Sequence, residues 1–216
     1  MIPLINPHRL APTGQWYSYE NTNSSSIPTN SNTSRITYDT GTTFKNFKMK
    51  WTISYSYGGG NWNGSLGTYV CNLDKGMYYG TESDRPDRFI GCQFHRHNNG
   101  NTENEHASHD NALQLTGSCN YTGSVGDERN PYNILDFGCS GGINSGANQE
   151  LERDGNTMYL RTYGNGFNNS HTSETSWTSE DSNGTGVGEM RYFIIAGRWN
   201  GSISATVSYR KFEWFA

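Results

Sequence analysis

No run of lysine or arginine occurs anywhere in this chain. It carries 16 Lys and Arg against 20 Asp and Glu, a formal net charge of −4. Duplex nucleic acid is held largely by counterion release against a basic footprint, so no nucleic-acid partner is expected. No apolar run approaches the roughly 18 residues that a membrane-spanning helix needs, so no membrane insertion is expected either. The opening Met1-Ile2-Pro3-Leu4-Ile5-Asn6-Pro7-His8 lacks the charged and apolar regions of a secretory leader. With Met1 in place, the expectation is a protein made and assembled without that export route. Only four cysteines occur, Cys71, Cys92, Cys119 and Cys139, and none forms a C-x-x-C pair. A zinc knuckle or thioredoxin-like motif is therefore not expected. Three disulfide pairings stay open, and the plain reading is four small buried hydrophobes in strands. Catalytic signatures are missing as well. Gly58-Gly59-Gly60 is not followed by the Lys-Ser/Thr of a phosphate loop, and no G-x-S-x-G elbow appears. No segment shows a helical period.

Hydrophobic residues are also scarce, at 32%, yet the chain has 14 Tyr, 9 Phe and 6 Trp. Disordered chains are poor in such residues. The combination predicts a thin core built from a few large rings, each burying much area. The 26 glycines, with abundant Asn, Ser and Thr, predict many turns and long loops.

The clearest pattern is Phe47 to Tyr57, F-K-M-K-W-T-I-S-Y-S-Y. Every odd position is large and apolar or aromatic, and every even one is Lys, Thr or Ser. Only a strand places a period of two on one face, and one wet face favours an antiparallel sheet. Further strands are expected at Gln15–Glu20, Arg35–Asp39, Leu66–Cys71, Met77–Gly80, Arg88–His95, Ala112–Thr116, Asn133–Phe137 and Gln149–Asp154, and then at Thr157–Tyr163, Met190–Ala196 and Ile203–Phe215. The long strand is expected to start at Phe44. Gly155-Asn156 reads as a hairpin turn, and the apolar run Met190–Ala196 suits a central strand. Asn21–Ser34, Asn98–Asp110 and Gly164–Gly188 read as polar loops. In the last strand, Ile203, Ala205, Val207 and Tyr209 share a face, while Phe212 and Trp214 fall on the opposite phase. A bulge near Arg210-Lys211 would return both rings to the core. Residues 1–13, with Pro3, Pro7 and Pro12, read as an extended arm before a single domain at 14–216.

Two stretches resemble the concanavalin A-like and laminin G-like jelly-roll sandwiches. Leu151-Glu152-Arg153-Asp154-Gly155-Asn156-Thr157-Met158-Tyr159-Leu160 is similar to a hairpin of that fold. Ile195-Ala196-Gly197-Arg198-Trp199-Asn200-Gly201-Ser202-Ile203, running into Val207-Ser208-Tyr209, is similar to its closing strand pair. The resemblance implies an all-β, antiparallel jelly-roll sandwich, a fold that hosts lectins, glycosidases and structural modules, so fold alone does not fix activity. The aromatic, Gly/Asn/Ser/Thr-rich composition resembles that of virion surface proteins of bacteriophages and other viruses. This implies a capsid-decorating, tail or fibre component that binds host glycans.

Three groups of residues invite chemistry. His95, His97, His106 and His109, with Glu103, Glu105 and Asp110 among them, carry donors that suit a divalent metal. The plain alternative is a solvated polar loop. Glu150, Glu152 and Asp154 would share one strand face at steps of about 7 Å, a spacing a glycosidase can use. The glucanase pattern E-x-D-x-x-E of the fold is absent, however, and a solvent-facing strand beside a turn explains them equally. The aromatics Trp62, Tyr78, Tyr79, Phe167 and Trp177, with Asn63 beside Trp62, match glycan contacts: ring faces for sugar C–H groups, and Asn and backbone groups for hydroxyls. The alternative is that they pin loops or fill a subunit interface. The reading is a non-enzymatic structural or receptor-binding component of a virion or other extracellular surface, a homo-oligomer multiplying weak glycan contacts, with no obligatory cofactor. A free lectin is the first alternative, and a glycoside hydrolase or lyase using Glu150, Glu152 or Asp154 the second.

Overall fold

The alternation between Phe47 and Tyr57 forms the strand it predicts. In a computed structural model, Phe47, Met49, Trp51 and Ile53 are all buried, while Lys48, Lys50, Thr52 and Ser54 between them are half-buried. The structure describes residues 14–27, 35–57, 63–75, 88–96, 102–110, 113–114, 137–139, 146, 148–163, 166–167, 171–178, 188–200 and 203–216. The arm at 1–13 and the expected strand Met77–Gly80 lie outside the described residues.

Every element among the described residues is a strand. They are β1 (Trp16–Asn21), β2 (Ser25–Ser26), β3 (Arg35–Phe44), β4 (Phe47–Tyr57), β5 (Asn63–Cys71), β6 (Arg88–Arg96) and β7 (Thr102–Asp110). Then come β8 (Leu113–Gln114), β9 (Phe137–Cys139), β10 (Asn148–Asp154), β11 (Thr157–Tyr163), β12 (His171–Thr178), β13 (Met190–Asn200) and β14 (Ile203–Phe215). Sheet I has the order β1-β14-β4-β10-β11-β12, with β2 on β14. Sheet II has the order β3-β13-β5-β6-β7-β8, with β9 on β7. All pairings are antiparallel. The architecture is the two-layer β-sandwich that half-buried, alternating strands build.

The core lies between the sheets and is, as the composition predicts, dominated by rings. Phe47, Phe212 and Trp214 enter from sheet I, and Phe44 and Phe193 from sheet II. Phe193 also meets Phe47 edge-on, with centroids 5.9 Å apart. The run Phe193–Ala196 is buried throughout, because β13 is covered on both faces. Phe193 and Ile195 face the core, while Ile194 lies opposite Tyr69 on the outer side. There the chain after β5 straps the sheet. Tyr69 Oη donates to the Lys75 carbonyl at 3.3 Å. Arg35 holds Asp74 through Nε to Oδ1 and Nη2 to the carbonyl, each at 2.7 Å. Gly91 pairs with Tyr69, and a Cβ on it would stand 2.7 Å from the tyrosine Cβ, so only glycine fits.

Several expectations need correction. The long strand does not start at Phe44: that residue ends β3, and Lys45-Asn46 separates the two strands. The expected loops Asn98–Asp110 and Gly164–Gly188 contain strands β7 and β12. Their sequences are almost wholly polar, so no hydrophobic period announced them. The bulge in β14 exists but falls between Val207 and Tyr209, upstream of Arg210-Lys211. It returns Phe212 and Trp214 to the core as expected. Because it comes early, Arg210 also takes an interior position opposite Trp51 and is 7% exposed. Cys71 is buried and free, its Sγ donating to the Leu73 carbonyl at 3.0 Å, and burial pushes its thiol pKa up. Every complete pairing of the four cysteines needs Cys71, so a two-disulfide framework is not formed.

Candidate functional site

The hairpin β10–β11 turns through Gly155-Asn156, with Asp154 opposite Thr157, as the sequence predicts. Gly155 has φ of +60°, a conformation that favours glycine. Alternation then sends Gln149, Leu151 and Arg153 inward and Glu150, Glu152 and Asp154 to the outer face of sheet I. Inside, Trp51 Nε1 donates to Gln149 Oε1 at 3.1 Å. Arg153, 1% exposed, donates to the carbonyls of Gly155 and Gly188, each at 2.9 Å. Burial lowers its pKa to about 10, so it stays charged at neutral pH.

On the outer face Glu150, Glu152 and Asp154 share one side of β10 as expected, and the neighbouring strands bring cations into register with the first two. Glu150 lies opposite Lys50 of β4 and Arg161 of β11, and Glu152 lies opposite Lys48 and Tyr159. Arg161 Nη1 reaches Glu150 Oε1 at 2.7 Å, and Lys50 Nζ reaches Glu150 Oε2 at 3.0 Å. Lys48 Nζ stands 3.3 Å from Glu152 Oε1, and Arg161 also pairs with Glu152. Glu150 is the deepest of them, its side chain 4% exposed. Five side chains from three strands thus match charges across the ladder, an arrangement that stabilises strand pairing. Asp154 stands exposed at the hairpin end.

One row further along, the same face turns aromatic. Tyr209, Thr52, Asn148 and Tyr163 occupy one row across β14, β4, β10 and β11. Thr52 Oγ1 and Asn148 Oδ1 are hydrogen-bonded at 2.5 Å. Phe167 packs over the row, its centroid 5.7 Å from Tyr163 and 5.2 Å from Tyr209, with Lys50 Nζ 5.5 Å from its ring centre. Burial, then the Glu20 carboxylate that accepts its hydroxyl, raises the Tyr209 pKa to about 12. Of the expected glycan-contact aromatics, Phe167 is thus the one placed in a described cluster. The row partners Tyr163 and Tyr209 were missed, since in sequence both read as ordinary strand residues.

The other expected residues are scattered. Trp62, Tyr78 and Tyr79 lie outside the described residues. Asn63 opens β5 opposite Asn200. Trp177 sits on β12 opposite Met158, in a strand rather than in a loop. Among the histidines, His97 lies outside the described residues. His95 pairs with Glu103, His106 with Cys92 and His109 with Phe89. His95 and His109 therefore lie six ladder positions apart, about 20 Å along the strands. Among the described residues, no group of three or more His, Cys, Asp or Glu stands together to hold a metal ion. No helix among them is long and apolar enough to cross a membrane.

No family model and no curated protein matches the chain. Solved structures do. The carbohydrate recognition domain of Emp47p shares 15% identity at a TM-score of 0.53, over 97% of this chain and 91% of that one. The exoplasmic/lumenal domain of VIP36, in a Ca2+/Man2-bound form, shares 10% identity at 0.55, over 93% and 80%. The fold is the concanavalin A-like jelly roll. A legume lectin-like domain from Entamoeba histolytica is also similar, at 10% identity and a TM-score of 0.49, over 92% and 88%. At such identities the likeness is one of fold, so the jelly-roll expectation holds while activity has to be argued from the residues.

Proposed function

We propose that this chain is a non-enzymatic glycan-binding module that serves as a structural or receptor-binding subunit of a surface assembly such as a virion. One observation carries the glycan reading. The sandwich matches, over nearly its full length, a domain described as a carbohydrate recognition domain and one solved with Man2 bound. Trp62, Asn63, Tyr78, Tyr79 and Trp177 are the proposed contacts. Asn and backbone amides would bind hydroxyls while a ring stacks on the sugar C–H face. The matched charges around Glu150 and Glu152 favour a structural use of those carboxylates over glycoside cleavage.

The virion reading rests on composition and on one surface feature. Trp16 and Tyr17, 57% and 41% exposed, are large side chains left uncovered, and they lie on β1 at the edge of sheet I. Exposed rings on an edge strand suit contact with neighbouring subunits, and symmetry would multiply weak glycan contacts.

A glycan array of the intact chain tests the binding claim. Hits weakened at least tenfold by Trp62→Ala, Tyr79→Ala or Trp177→Ala, in variants whose circular dichroism matches the parent, support it. A blank array from a well-folded multimer leaves a purely structural subunit and removes the glycan claim. Release of reducing ends abolished by Glu152→Gln would replace the proposal with a hydrolase. Neighbouring reading frames that encode portal, capsid or tail proteins support the virion assignment. A monomer bound to glycans, with no such neighbours, would make it a free lectin.

A further inference from the structure

The aromatic row on the outer face of sheet I has no part in the contacts proposed above. Its geometry points to a second binding site, a shelf for an uncharged oligosaccharide formed by Tyr163, Phe167 and Tyr209 over Thr52 and Asn148. The rings form a continuous strip. Tyr163 and Tyr209 stand at the ends of a row three strand spacings wide, about 14 Å, and Phe167 bridges them with centroid separations of 5.7 and 5.2 Å. All three rings are half-buried, so each is fixed by packing yet keeps surface toward solvent. Their planes are inclined by 64° and 43°. The shelf is therefore twisted, and suits a chain of sugar rings that turns from one unit to the next better than one flat aromatic ligand.

The polar groups beneath decide the ligand's charge. Lys50 is paired with Glu150 at 3.0 Å and lies over Phe167. The other ions of this face also have partners: Lys48, Glu152 and Arg161 pair among themselves and with Glu150, Lys211 pairs with Glu213, and Glu20 accepts the Tyr209 hydroxyl. A charged ligand would have to break one of these contacts. Hydroxyls need no such exchange. Asn148 Oδ1 is hydrogen-bonded to Thr52, and with Asn148 8% exposed and Thr52 half-buried the two form a neutral polar floor. Stacking on rings over such a floor is the chemistry that recognises an uncharged sugar chain.

The test is titration of the isotopically labelled intact chain with neutral hexasaccharides (β-1,4-glucan, α-1,4-glucan, mannan), followed by amide NMR. The site predicts shifts confined to Lys50–Thr52, Asn148, Tyr163, Phe167 and Tyr209 for at least one probe. Phe167→Ala should weaken them about tenfold, on the scale of one stacked ring. The Trp62→Ala variant keeps this site distinct from the loop reading. Shifts at Phe167 that survive Trp62→Ala support a separate shelf. Binding that moves only loop amides, that is unchanged by Phe167→Ala, or that is absent with every probe overturns it.

Discussion

The rings of Phe193 and Phe212 lie parallel, 2° apart in orientation with centroids at 4.6 Å, although they belong to opposite sheets. Phe193 sits on β13 of sheet II and Phe212 on β14 of sheet I. Consecutive strands thus enter different layers, and the stacked pair ties the layers together at the centre of the ring cluster. Phe212→Ala is expected to cost about 3–5 kcal/mol, as for a buried Phe truncated in a packed core. A double-mutant cycle with Phe193→Ala, followed by urea unfolding, should return a coupling of about 1 kcal/mol beyond area burial. Strictly additive losses would show that the stack holds nothing specific.

Ser208 is the extra residue of the β14 bulge, since Val207 pairs with Ile53 and Tyr209 with the adjacent Thr52. Deleting one residue from a regular strand moves every later side chain to the other face. Deleting Ser208 should not. Val207 would be followed directly by Tyr209, outward, and then by Arg210, Phe212 and Trp214, all inward as now. The variant is expected to fold with near-native Trp near-UV dichroism, whereas deletion of Lys50 from unbulged β4 should prevent folding. Collapse of the Ser208 deletion would mean that the bulge's extra twist is required.

Legibility in the sequence followed burial. β4 and β14 were readable because their large residues alternate and mark one face, and β13 because its apolar residues run together, as in a strand covered on both faces. The hairpin was readable because Gly155-Asn156 separates two such runs. Thr102–Asp110 and His171–Thr178 were not: they hold strand position through backbone ladders to β6 and β11, and their polar residues leave no periodic mark. The same blindness hid the outer-face site. Glu150, Glu152, Lys48 and Lys50 are visible as charges, but their matching depends on the register between strands about a hundred residues apart. Tyr163 is local to Phe167, but Tyr209 becomes its neighbour only once β4 and β10 join β14 to β11.

Glu150 gathers Lys50 and Arg161 at 3.0 and 2.7 Å with its side chain 4% exposed. Glu150→Gln keeps the shape and removes the charge both cations face. The loss should be about 2 kcal/mol in urea unfolding at neutral pH, between the small value of exposed pairs and the larger one of buried pairs. Adding Lys50→Met should recover part of it by removing an uncompensated charge. A neutral Glu150→Gln variant would reduce the lattice to decoration.

Tyr209 gives the fold an alkaline limit whose sign is fixed by its environment. An unfolded tyrosine loses its proton near 10, whereas in the fold burial and the Glu20 carboxylate hold that proton to about 12. Below 10 both states are protonated and the contribution is fully present. As pH rises from 10 through about 12 the unfolded chain gives up a proton that the folded chain retains, so stability falls. Tyr209→Phe keeps the ring beside Phe167 and removes the ionisation. Its stability should therefore decline less than that of the parent chain over this window, while the two run parallel between neutral pH and the onset of tyrosine ionisation. Unfolding midpoints measured across the window would decide it: parallel decline throughout would show that Glu20 and the Phe167 cover do not hold the phenol in its neutral form.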